Sequence, residues 1–487
     1  MPPITATPGL SLIRAIAAGQ AVSIEPTVLD AVRQRRSQAL ATLRDGRLVY
    51  GVNTGMGKLS TIRLTEEQQR SHQRNLLLAR AVGGPPWLEP AEARSVLAVR
   101  LVTFLSGDAA VSAGLCQRLA DFLNAGIVPA VPRAGGGAAG EITHLAHAFG
   151  PLAGIGQVLG PDGAVRSAAQ VLRSRGIGEF RLGPKEGIAL IQGVPGATGL
   201  CVLRLGETAR LTALMEAAAA LSVVAVRASR DPFRAACGRG DDMLADVLGR
   251  LRALAGEEAA PRVLQAPVSF RVAGPVLTQV IRAGALLEAA VQRALTGVTD
   301  SPAFLDGRFT GTAGYHGNDL AAHCDLVTAA LCHAAEVASA RIHRLMDPAV
   351  TGLNPQLAAE PGPDAGLGPV HKRAAGEVHA MRTLASATPI GLIETSAGQE
   401  DVQSFAWEAV GKLATAVRHA RVVTACELLA AYQAAALSGR QLPAGCTSLM
   451  NWLAGIIPPI DRDRLFGQDI ERLVLADPPP FLPVPRL

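Results

Sequence analysis

Apolar residues recur every three to four positions over most of the chain, the spacing that lays them along one face of an α-helix. From Ser23 to about Leu43 the pattern is helical. Asp45-Gly46-Arg47 then breaks it ahead of a glycine-rich loop, Tyr50-Gly-Val-Asn-Thr-Gly-Met-Gly57. Residues 65–82 and 91–125 read as helices, with Pro85-Pro86 as a stop and restart between them. Residues 126–140 form a second irregular stretch holding Pro129, Pro132 and three consecutive glycines. Long Ala/Leu-rich runs follow at roughly 185–229, 240–256, 272–297, 317–346, 370–388 and 399–438. Several exceed an ordinary globular helix of about 11–12 residues, so the pattern predicts a mainly α protein with a central bundle of long rods. The expected division is an N-terminal domain over 1–190, carrying the Tyr50 loop and the segment 135–141, and a long-helix bundle with C-terminal helices over 191–487.

Composition sharpens that picture. Of 487 residues 49% are hydrophobic but only 3% aromatic, so the helices must pack through alanine and leucine at close range. The length gives a soft prior of about three domains, although one large helical fold serves equally well. The balance of 46 Lys+Arg against 41 Asp+Glu is spread along the chain, with no stripe of aromatic and basic residues to stack and neutralise a strand. Nucleic acid binding is excluded on that ground. Seven scattered cysteines without a CxxC read as reduced thiols of a cytoplasmic protein. The first residues lack a charged segment followed by an apolar one, so no signal peptide is expected. The most apolar stretch, 217–226, is too short to cross a bilayer and reads as buried helix.

Two local patterns invite readings that their surroundings oppose. Gly135, Gly137 and Gly140 satisfy GxGxxG, but that fingerprint needs a preceding strand, and Pro129 and Pro132 argue against one. His144 and His147 lie three apart on a helix with no third ligand in reach by sequence, so no metal is expected.

Polar clusters interrupt the apolar runs at 265–271, 299–302, 314–319 and 395–401, where loops between buried helices place chemistry. YGVNTGMG at 50–57, PKEGIALI at 184–191, TDSP at 299–302, YHG at 315–317 and TSAGQED at 395–401 occur in the order and spacing of one family. With them the chain resembles the histidine, phenylalanine and tyrosine ammonia-lyases and aminomutases, from its N-terminal helix to DRDRLFGQDIERL at 461–473.

That resemblance implies an ammonia-lyase-like, almost wholly helical fold, a homotetramer with active sites shared between subunits, a small-molecule substrate and no membrane partner. It also implies an electrophile, a methylidene-imidazolone (MIO) made by cyclisation and dehydration of an Ala-Ser-Gly segment. The main departure lies there. Ala138-Ala139-Gly140 stands on Ala-Ser-Gly, so alanine replaces the serine that loses water, and no Ser, Thr or Cys lies between Cys116 and Thr143. No cofactor is therefore expected to form.

Further positions differ with it. Gln192 takes the place of an asparagine that bonds the electrophile, Val268 that of a catalytic tyrosine, and Ala79-Arg80 that of the selectivity pair. Met56 replaces a loop phenylalanine. By the same resemblance Tyr50 becomes the general base, with Tyr315, Glu400 and Gln192 as catalytic partners. Arg271 becomes the carboxylate clamp, with Arg80, Ala79, Asn53, Gln399 and His144 as substrate-binding residues. Glu141 and His144 follow the altered segment in the first turns of a helix, where its N-terminus favours a carboxylate.

The expected function is acid–base chemistry on a small carboxylate- or carbonyl-bearing substrate: cyclisation, addition–elimination, isomerisation or hydrolysis. Two alternatives stay open. One is a conventional histidine-type lyase altered by serine-to-alanine replacement at Ala139, and the other a non-catalytic binding homologue.

Overall fold

The computed structural model of the chain describes residues 4, 9–258, 260–391 and 393–487. It is 59% helical and 5% strand, so the helical pattern carries the architecture as expected. The strands are two small antiparallel groups. One pairs Val128–Pro129 with Gln157–Leu159 and that in turn with Val165–Ser167, and the other is the hairpin of Ala303–Leu305 and Arg308–Thr310.

The chain forms two compact units: residues 1–203, 287–324 and 387–411 in the first, and 204–286, 325–386 and 412–487 in the second. This differs from the expected cut at residue 190. Four of the boundaries fall inside the long helices Pro195–Ala225, Ala273–Thr296, Asn318–Leu345 and Ala406–Leu437. At 1.5 Å per residue such rods run about 36–48 Å.

In the first unit, local capping chemistry sets where helices begin. Thr65 and Gln68 form a reciprocal capping box at the start of Glu66–Arg80, and Glu89 and Glu92 do the same for Pro90–Phe104, with proline at the first helical position. Helix Pro90–Phe104 is buried nearly all round and packs on Leu10–Ala17. Its buried Arg94 donates to the carbonyls of Ile16 (3.0 Å) and Leu123 (2.8 Å), spending the charge on helix ends that need donors.

Two expected helices are broken. Residues 91–125 divide into Pro90–Phe104 and Ala113–Asn124, because Gly107 turns left-handed (φ 83°) and Ser112 caps the second helix through Leu115. The run 185–229 divides into Glu186–Ile191 and Pro195–Ala225, with Gly193 (φ 83°) in the gap. Residues 186–225 are long and apolar enough to cross a membrane, more than the stretch 217–226 alone suggested. Their most apolar window is 89% buried, the mark of a core helix.

In the second unit three long helices meet at one ion pair. Arg341 binds Glu427 through two hydrogen bonds (2.5 and 2.9 Å), and Ser222 donates to the same carboxylate at 2.8 Å. With both charges satisfied in a fork geometry, a buried interface between these rods tolerates them. None of the seven cysteines is in a disulfide; Cys201 and Cys324 lie with their sulfurs 3.3 Å apart inside the first unit.

Candidate active site

The Tyr50 loop holds its shape through its own polar groups. Asn53 accepts from the Val49 amide (2.7 Å) and donates to the Arg47 carbonyl (2.7 Å), while Gly51 donates to Thr54 Oγ1. Buried Gln73, on helix Glu66–Arg80, donates to the Gly51 carbonyl (3.0 Å) and accepts from the Ile188 amide (3.1 Å). Gly51 is left-handed (φ 66°) and lies against Ile188, so a side chain there would meet both a strained backbone and a filled space. The fold thereby fixes the residue before it. Tyr50 is 38% exposed, and its phenol oxygen accepts a hydrogen bond from the Gly57 amide at 2.7 Å.

Tyr50 lines a cavity of about 760 Å³ in the first unit. Around it the structure gathers Arg80 from one helix end, Ala138-Ala139-Gly140 from the irregular stretch, Gln192 and Tyr315 from two interhelical gaps, and Gln399 and Glu400 from the last polar cluster. Thus the four expected catalytic residues, two of the expected binding residues and the altered segment share one space. Gly140 makes this possible: a Cβ there would lie 3.3 Å from the Tyr315 carbonyl.

Glu400 grips the altered segment directly. Its Oε2 accepts from the Ala139 amide (2.7 Å) and its Oε1 from the Ser396 hydroxyl (2.9 Å). The supporting turn is tight, with Ser396 and Ala397 both left-handed (φ 54° and 53°), a conformation that costs non-glycine residues on the order of 1 kcal/mol each. Arg80 is half-buried. Burial lowers its pKa, and the charges of Tyr50 and Glu400 oppose that shift. Gln192 lines the cavity while its carbonyl accepts from the buried Arg100, whose guanidinium also stacks over Phe104 and Phe149.

Beneath lies a layer of buried charge. Lys185 and Asp300 pair at 2.5 Å with side chains 0% and 7% exposed, and burial pushes the lysine pKa down and the aspartate pKa up. Glu141, 2% exposed, accepts from the amides of Gly196 (2.7 Å) and Ala197 (2.6 Å), and burial raises its pKa to about 7. The expected helix-end support is real, but it comes from helix Pro195–Ala225 rather than from the helix that Glu141 itself precedes.

Four expected binding residues lie elsewhere. Asn53 spends its amide on its own loop, and Ala79 is exposed on the helix surface outside the lining. His144 is buried behind the segment 136–140, stacked on Trp407 at 4.0 Å, and burial lowers its pKa to about 4. An imidazole so placed packs against indole instead of facing a ligand. Arg271 belongs to the second unit, on the short helix Val268–Arg271, and is not among the lining residues. His147 is a satisfied core histidine, accepting from the Gly83 amide at 3.0 Å. Among the described residues no three His, Cys, Asp or Glu side chains form a metal cluster.

The cavity also contains groups that motif reading passed over. Lys58 follows the Tyr50 loop directly, and Thr395 and Ser396 open the same motif as Glu400. Ser301 and Thr312 face each other across the 299–312 turn, where the serine hydroxyl accepts from the Thr312 amide at 3.2 Å.

Comparison with known proteins decides the family. The aromatic amino acid lyase model matches residues 9–454. The chain belongs to the aromatic amino acid lyase family. A histidine ammonia-lyase of Geobacillus thermodenitrificans is 34% identical over 91% of this chain and 90% of its own. One from Streptomyces coelicolor is 32% identical over 91% and 88%. Among solved structures, tyrosine aminomutase from Streptomyces globisporus superposes with a TM-score of 0.91 at 27% identity, covering 97% and 96% of the two chains. The ergothioneine-degrading enzyme of Treponema denticola shares the fold, with a TM-score of 0.90 at 23% identity over 96% of each chain.

The family's imidazolone finds no fit among the residues present. Ala139 ends in a methyl group where dehydration needs a hydroxyl, residues 135–141 contain no other hydroxyl or thiol, and the Ala139 amide is bonded to Glu400.

Proposed function

We propose that this member of the aromatic amino acid lyase family works without the imidazolone, using acid–base chemistry on a small carboxylate- or carbonyl-bearing substrate. The observation that carries the reading is Tyr50, whose phenol oxygen is anchored on the Gly57 amide in the same cavity as Arg80, Tyr315 and Glu400. A phenolate formed there keeps its backbone donor and has a guanidinium close by, the arrangement a general base needs. Arg80 binds the anionic group of the substrate, and Tyr315 and Gln192 donate to the oxygen on which charge develops. Without a covalent electrophile the C–H that Tyr50 attacks must already be acidified by a carbonyl. Cyclisation, addition–elimination and isomerisation meet that condition, and hydrolysis uses an activated carbonyl directly, whereas expelling ammonia from an unactivated aromatic amino acid has neither.

The proposal includes a cytoplasmic homotetramer in which Arg271 enters the site from another subunit. A second reading is favoured by the 34% identity to a histidine ammonia-lyase: a conventional lyase altered at Ala139. Ala139→Ser separates the two. Loss of two waters in the intact mass, one from cyclisation and one from the serine hydroxyl, together with deamination of histidine or tyrosine, supports the altered lyase. An unchanged mass in a folded protein, with turnover that depends on Tyr50 in both forms, supports chemistry without the electrophile.

A further inference from the structure

We propose that Cys201 and Cys324 are a redox modification site: under peroxide they join in a reversible disulfide that fastens together two helices leading away from the cavity. The inference does not depend on which reaction the cavity carries out.

The geometry is set where the two helices begin. Helix Pro195–Ala225 starts three residues after Gln192 and helix Asn318–Leu345 three residues after Tyr315, so each extends from a lining residue of the cavity. Their starts abut, because a Cβ on Gly317 would lie only 2.9 Å from the Val194 side chain. Seven residues beyond Val194 and Gly317, about two helical turns, stand Cys201 and Cys324 with their sulfurs 3.3 Å apart. A contact repeated after the same step on both helices means that these turns run parallel and in register. Closing the gap to the roughly 2.05 Å of a disulfide takes about 1.3 Å, shared between two side chains.

The other thiols are placed differently. Cys332 donates to the Met381 carbonyl at 3.3 Å, and burial pushes the Cys116, Cys426 and Cys446 thiols up to about 12, which keeps them protonated and unreactive. Cys237 is exposed and donates to the Asp231 carbonyl at 3.4 Å.

Burial also selects the oxidant. Cys201 and Cys324 are both 0% exposed, which shuts out a bulky disulfide and leaves small, uncharged hydrogen peroxide. One thiolate attacks a peroxide oxygen, the O–O bond breaks, and the departing hydroxide takes the thiol proton as water, leaving a sulfenic acid. The second thiol attacks that sulfur, the S–S bond forms, and hydroxide leaves with the second proton as water. The two thiols give up one electron each, and one peroxide becomes two waters. Because the second sulfur already touches the first, it intercepts the sulfenic acid before further oxygen is added.

The test uses full-length protein whose exposed Cys237 has been capped with iodoacetamide under native conditions. Hydrogen peroxide lowers the intact mass by about 2 Da, the two hydrogens lost, and dithiothreitol restores it. Peptide mapping finds Cys201 joined to Cys324. The bond closes a loop between positions 123 apart, so the oxidised form melts about 4–8 °C higher. Cys201→Ala and Cys324→Ala each lose the cross-link and the rise. An unchanged mass in protein that stays folded overturns the proposal, as does a cross-link between other cysteines. So does oxygen retained on Cys201 or Cys324 in place of the bond, or a bond that forms without raising the melting temperature.

Discussion

Glu400 accepts the amide proton of Ala139 at 2.7 Å, so a carboxylate from the last polar cluster holds the segment on which the family builds its electrophile. Glu400→Ala removes this bond and the Ser396 bond together. Stability falls by about 1–3 kcal/mol in denaturant unfolding, and Glu400→Gln, which keeps an acceptor, falls less.

Tyr50→Phe tests the base with little structural disturbance, since the ring is partly exposed and only the Gly57 bond is lost. Turnover drops by about 10²–10⁴, while the melting temperature moves by no more than a few degrees. Single-turnover kinetics and a thermal melt on one preparation read both.

Two buried groups behind the cavity predict opposing pH effects. Glu141 titrates near 7 in the fold, above its ordinary 4.5, so the folded state binds more protons than the unfolded one. Its contribution is complete below about 4.5 and is lost as pH rises through 7. His144 titrates near 4, below its ordinary 6.5, so its contribution is complete above about 6.5 and is lost as pH falls through 4. Each amounts to about 3 kcal/mol, and in wild type the two slopes offset one another between pH 4.5 and 6.5. Glu141→Gln exposes a stability that rises with pH across that window, and His144→Phe one that falls. Urea unfolding from pH 4 to 8 measures both.

Breaking the Lys185–Asp300 pair leaves one charge buried without its partner. Asp300→Ala costs about 3–5 kcal/mol, and replacing both residues by apolar ones of similar volume recovers most of that loss. Double-mutant unfolding isolates the pair.

Tyr50→Phe and Arg271→Ala subunits, each inactive alone, recover measurable turnover when co-expressed and assembled together if the two residues serve one site from different chains. No recovery in mixed oligomers of confirmed composition places both on one chain.

Much of the fold, and the meeting of six of the ten expected site residues at one cavity, could be read from the residues. YGVNTGMG and TSAGQED name their own chemistry, and Tyr50 and Glu400 do line one cavity. What eluded sequence reading depends on partners far along the chain. His144 looks like a substrate-binding residue until Trp407 stacks on it, and Asn53 looks like one until its amide turns back to Arg47 and Val49. The break in 91–125 follows from Gly107, a lone glycine that periodicity alone lets pass inside a helix. Lys58 was hidden by ordinariness, since an exposed lysine after a loop carries no signal until the opposite wall is known.

Glu141 closes off one source of catalysis. By accepting the amides of Gly196 and Ala197 it occupies, from within the chain, the first free donors of the 31-residue helix that begins there. A fixed dipole cannot be retuned without rebuilding a helix, whereas Arg80, Lys58 and Glu400 can each be exchanged by a single codon change. The field in this cavity is therefore written in replaceable parts, which leaves the scaffold free to adopt new substrates while its backbone stays as it is.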